Sequence, residues 1–163
     1  MKILYNAEEG YGIECSLVKW KSDVKEIIIN ELIPQTTEIA RRLGQWKLDK
    51  KKHKDYEGMS EEEFDEAIND LFVEGYAYTF NHTAGMEVLI ADIINEIESL
   101  DVEITAFHFN DDCLYVPASI PINDYDKEKF LTQVRIDEIL SKYMSLLADE
   151  PAEIKWHKIR DYE

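Results

Sequence analysis

The chain has 163 residues, of which 45% are hydrophobic and 33% charged, with 35 Asp and Glu against 18 Lys and Arg for a net charge of −17. That length fits one domain, which on folding buries roughly 70% of the surface of its unfolded chain, and nine Tyr, six Phe and three Trp supply a core that a disordered tail lacks. No apolar run approaches the ~20 residues of a membrane-spanning helix.

The opening residues reach Glu8-Glu9 without a sustained apolar stretch, so no signal peptide is expected. Cys15 and Cys113 lie too far apart for a metal or redox spacing, which points to a reducing, cytoplasmic compartment. A single domain over 1–163 is expected, with a possible lobe over 1–58 beside an acidic α+β unit over 59–163.

Lys2–Asn6 and Ile13–Trp20 read as two strands flanking a turn at Glu8-Glu9-Gly10-Tyr11-Gly12. In the second strand Ile13, Cys15 and Leu17 alternate with polar or smaller neighbours. Asp23 and Glu26 have the spacing of a capping pair, and Val24, Ile27, Ile28 and Leu32 share a helical face that Pro34 ends. A strand through Ile27–Ile29 is the competing reading. Thr36 or Thr37 opens a short helix carrying Ile39, Leu43 and Trp46, weakened at its end by Gly44.

Ser60 and Glu63 predict a capping box at the start of a helix over 60–74, with a hydrophobic staple between Met59 and Phe64. Phe64, Ala67, Ile68, Leu71 and Phe72 form its expected buried stripe, and Gly75 stops it. A strand over 76–81, a helix over 84–99, a hairpin over 102–116 and a helix over about 125–147 follow. A last strand spans 153–159 after Pro151. The fold class is therefore α+β, a mixed or antiparallel sheet with helices on one face. Residues 76–160 have the β-α-β-β-α-β order of a ferredoxin-like unit, preceded by an N-terminal strand pair and helices.

Charge is unevenly placed. Residues 41–54 hold seven Lys and Arg against Asp49 alone, whereas residues 55–154 hold 25 Asp and Glu against four Lys and Arg. The acidic region repels phosphate backbones and anionic membranes, so its attractive partners are cationic. Lys50 to Lys54 with Trp46 have the composition of a small nucleic-acid contact, but a solvated helix end explains them as well. Residues 37–44 resemble in pattern the first helix and turn of a helix-turn-helix reader, yet the charged stretch Gln45–Lys52 is no recognition helix.

Catalytic patterns are weak. His82, His108 and His157 fall on or beside separate strands, where convergence on a metal is geometrically open, although no paired-ligand spacing supports it. Asp124-Tyr125-Asp126-Lys127-Glu128 lacks the glycine and terminal Glu of a calcium loop. Cys113 sits among apolar neighbours, as a small core residue does. No serine elbow, phosphate loop or nucleotide fingerprint is present, and no cofactor is implied.

These features favour a non-enzymatic, acidic inhibitor that occludes the basic nucleic-acid cleft of a nuclease or nucleic-acid-guided effector. It would act as a toxin immunity protein or a mobile-element anti-defence protein. The expected contacts are Glu61, Glu62, Asp65, Glu66 and Asp70 on the capped helix, with Asp111 and Asp112 at the hairpin tip. The alternatives are a small metal-dependent hydrolase using the histidines, and an acidic structural or assembly component.

Overall fold

The computed structural model describes residues 5–76, 85–100, 102–104, 113–117, 127–150 and 152–162. Among the described residues the chain is a mixed α+β fold with two antiparallel sheets. Strand β1 (Tyr5–Glu14) runs without interruption through the segment expected to turn. It is hydrogen-bonded along both edges, with Gly10 opposite Pro117 on one side and His157 on the other. Two-sided pairing overrides the local turn preference of Gly10 and Gly12.

The strand expected over 13–20 is also broken. Cys15–Leu17 form a 3₁₀ turn before β2 (Lys19–Trp20). The turn shifts the burial period, so Ile13, Cys15 and Val18 point inward while Leu17 is 62% exposed.

Helix α1 (Val24–Ile27) widens into a π turn at Ile28–Leu32 and narrows to a 3₁₀ turn at Ile33–Gln35. Pro34 has no N–H for the carbonyl four residues earlier, which accounts for a helix that cannot continue regularly. Asp23 precedes α1 but makes no side-chain cap. The expected apolar face is otherwise present, with Val24, Ile28 and Leu32 buried.

Helix α2 (Glu38–Lys50) is held at its start by a distant carboxylate. Glu96 accepts the backbone N–H groups of Thr37 and Glu38 at 2.9 and 2.7 Å, satisfying amides that the helix leaves open. Gly44 lies inside this helix rather than weakening its end, and a Cβ there would meet no atom within 4 Å. Gly44→Ala should therefore raise stability by about 1 kcal/mol, the helix-propensity difference, read as a higher denaturation midpoint at unchanged m.

Helix α3 (Glu61–Glu74) begins as expected, with Ser60 Oγ accepting the Glu63 N–H at 3.2 Å. The staple is replaced: Phe64 packs edge-on against Tyr56 at 5.6 Å, while Met59 is 42% exposed. Phe64, Ile68, Phe72 and Val73 are buried, but Leu71 is 43% exposed. The inward face of α3 is thus rotated relative to the expected stripe, with Val73 taking the place assigned to Leu71.

Helix α4 (Met86–Glu98) is buried nearly all round through Val88, Leu89, Ile90, Ala91, Ile93 and Ile94, as a central helix must be. Asn95 exchanges two hydrogen bonds with the backbone of Val102, tying α4 to the following strand. Strand β3 (Glu103–Ile104) pairs antiparallel with β4 (Cys113–Pro117).

Helix α5 (Lys127–Leu147) buries Ile136, Ile139, Leu140, Tyr143, Met144 and Leu147, whereas Val134 is 37% exposed. It leads directly into β5 (Ala148–Glu150), which pairs with β2. Strand β6 (Lys155–Tyr162) closes the larger sheet in the order β3-β4-β1-β6. The two inner strands of that sheet are β4 and the N-terminal β1, the latter from outside the 76–160 span with the ferredoxin-like element order. Residues 77–84, which include most of the strand expected over 76–81, lie outside the described residues. One hydrophobic cluster runs from Ile13 through α1, α2, α4 and α5 to Ala148.

An ion pair on this scaffold makes stability depend on pH. The Lys142 ammonium, 2.7 Å from Glu98, holds the Glu98 carboxyl below the usual carboxylate range, with further support from the Tyr143 hydroxyl. A carboxyl depressed by folding stabilises above its unfolded pKa, and that contribution disappears as pH falls through the folded value. Melting points should therefore drop on acidification below about pH 4, and less steeply for Lys142→Met than for the parent chain.

Candidate functional site

The acids of α3 fall into two groups with different surroundings. Glu61 and Asp65 lie on the flank that meets α2, with Glu61 3.9 Å from Lys51 Nζ and Asp65 3.6 Å from Lys47 Nζ. The basic run thus lies against the acidic helix of its own chain. At these exposures each pair contributes ~0–1 kcal/mol, but it lowers the field that either group projects.

Glu62, Glu66 and Asp70 occupy another flank and are exposed. With Glu74 they form a row at four-residue spacing, each step rising about 6 Å along the helix. Its last member, Glu74, forms an ion pair with Lys25 that raises the Lys25 pKa, and the Asp70 carboxylate adds to that attraction. Like charges at this spacing repel one another by roughly 0.2–0.5 kcal/mol per pair, so the row is not explained by helix stability. Within the row, Glu62 alone stands in the first turn, where the helix dipole favours an acid.

Beside this row, α3 and the α1–π segment enclose a cleft. Glu26, Ile29 and Asn30 form one wall, Glu66, Asn69 and Asp70 the other, and Lys25 also lines it. Asn69 Oδ1 is closed off from solvent and accepts no hydrogen bond.

A second cleft, between α2 and the end of α3, is lined by Arg42, Trp46, Phe72, Gly75 and Tyr76. Trp46 lies 5.6 Å from Phe72, and Phe72 5.4 Å from Tyr76. The Tyr76 hydroxyl accepts from Arg42 at 3.2 Å and donates to Asp92 at 2.8 Å. Burial, then the Asp92 carboxylate, push the Tyr76 phenol well above its usual range. Lys50 lies over the Trp46 ring at 5.6 Å. These contacts make Trp46 part of the α2–α3 packing, which accounts for the aromatic beside the basic run.

Asp111 and Asp112 lie outside the described residues, as do His82 and His108. His157 Nε2 is 3.1 Å from the Gly12 carbonyl oxygen, within the sheet. Among the described residues no group of three or more His, Cys, Asp or Glu side chains is placed to hold a metal ion. None of the described helices is long and apolar enough to cross a membrane.

Glu74, Asn69, Lys25 and Asn30 were not singled out from sequence. The four-residue repeat Glu62, Glu66, Asp70, Glu74 was a readable signal for the first; the others join the site only through the packing of α1 on α3. No family model, curated protein or solved structure matches this chain.

Proposed function

We propose that the chain is an acid-presenting inhibitor that attaches to a cationic protein surface, such as the nucleic-acid cleft of a nuclease or guided effector. The observation that carries this reading is the exposed row Glu62, Glu66, Asp70 and Glu74 on a capped helix. A rigid row of carboxylates, winding gently around the helix by about 40° per step, presents negative charge to a basic groove much as one strand of a phosphate backbone does. Held on a helix, it loses no backbone freedom on docking, so the ordering cost is confined to the side chains, about 0.5–1.5 kcal/mol for each one immobilised. Its field raises the encounter rate with a cationic partner, and that gain falls steeply with salt. Occupation of the cleft excludes nucleic acid sterically and by charge.

The test is inhibition. Nucleases captured on the immobilised chain from a lysate of its source at low salt should be blocked by the purified protein. A protein that captures no cationic nuclease, or captures one without reducing its activity, does not fit this function.

A further inference from the structure

We infer that the cleft between α3 and the α1–π segment is a socket for one arginine side chain of the protein partner. The inference rests on the reading of α3 as a partner surface and adds what that surface selects. Several acceptors meet in the cleft from two elements: Glu26 and Asn30 from one wall, Glu66, Asn69 and Asp70 from the other. The cation that lines it, Lys25, is ion-paired with Glu74 and also attracted by Asp70, so the open acceptors are those of Glu26, Asn30, Glu66 and Asn69.

Asn69 separates this cleft from the remaining acidic surface. Its amide oxygen is shut off from solvent and has no donor, a condition that folded proteins seldom leave uncorrected. Asn69 lines the cleft, and its terminal torsion is soft, so a modest turn presents the oxygen to an incoming donor. Two kinds of cationic side chain compete for such a place. A lysine ammonium is a compact point charge that satisfies one wall. A guanidinium is planar, carries five N–H donors in a fixed fork, and is weakly hydrated, so it reaches acceptors on both walls while its face rests on Ile29. The acceptor-rich, two-walled lining therefore selects arginine.

The experiment titrates N-acetyl-arginine methylamide, its lysine analogue and its neutral citrulline analogue into the full chain at low salt, followed by amide NMR. The arginine probe should produce saturable shifts at the side-chain amides of Asn30 and Asn69, binding at least about tenfold tighter than the lysine probe. The citrulline probe should give none. Asn69→Leu should retain its melting point and lose the arginine preference. Glu62→Gln, which leaves the cleft lining intact, should keep that preference while weakening attraction along the helix. Equal binding of arginine and lysine probes, shifts that never saturate, or an unchanged preference in Asn69→Leu would overturn the socket. Loss of partner inhibition in Glu62→Gln bears on the charged row alone, so the two readings fail separately.

Discussion

Leu140→Ala lowers the stability of the fold by about 3 kcal/mol, within the ~2–5 kcal/mol span for deleting a buried leucine. Leu140 is 0% exposed on α5 and belongs to the main hydrophobic cluster. For a chain of this size the loss corresponds to roughly 6–12 °C in thermal midpoint, a large share of the ~5–15 kcal/mol that holds such domains folded. Leu71→Ala is the internal control. Leu71 is 43% exposed, so its removal should change stability by no more than about 0.5 kcal/mol. The comparison reaches beyond packing, because Leu71 lies half a turn around α3 from Glu62, so it tests which face of the helix meets the core. If Leu71→Ala proved as costly as Leu140→Ala in parallel melts, α3 would face the core differently and the acidic row would be misplaced.

The second large effect concerns that row. Glu62→Gln, Glu66→Gln, Asp70→Asn and Glu74→Gln combined should slow association with a cationic partner by one to three orders of magnitude at low salt. The same change removes three like-charge contacts at four-residue spacing, each costing roughly 0.2–0.5 kcal/mol, which offsets the loss of the Lys25–Glu74 pair and of the Glu62 charge at the helix N-terminus. Weakened binding with an intact melting point is the signature of a surface kept for contact. A matching substitution of Glu61 and Asp65, which already face Lys51 and Lys47, should slow association less.

Much of the helical framework was legible because its signals are local. Ser60 and Glu63 place the start of α3, and the apolar spacing in Leu89, Ile90 and Ile93 places α4. The strands were harder to read, because their partners are distant in the chain. Gly10 and Gly12 look like a turn until β4 and β6, over a hundred residues on, pair with both edges of β1. The α3 stripe was misjudged at Leu71 and Val73 for the same reason: periodicity gives a face only to within a residue, and neighbouring elements decide which residue is covered. Capping by Glu96 at the start of α2 has no local signature, since the carboxylate arrives from α4.

Of the candidate contacts, Glu62, Glu66 and Asp70 stand on an open flank and Glu61 and Asp65 on a partly neutralised one, a division invisible without the α2–α3 packing. Charge composition gave the sign of the surface. It did not give its shape, and the cleft at Asn69 exists only because the π turn of α1 lies against α3.

The most direct measurement is the association rate of the captured nuclease with the parent chain and with the four-amide variant, recorded over a range of salt concentrations. A steep decline with salt for the parent, with a slow and nearly salt-independent rate and no inhibition for the variant, is the predicted result. Equal rates and undiminished inhibition by the variant would show that the carboxylate row only keeps the protein in solution.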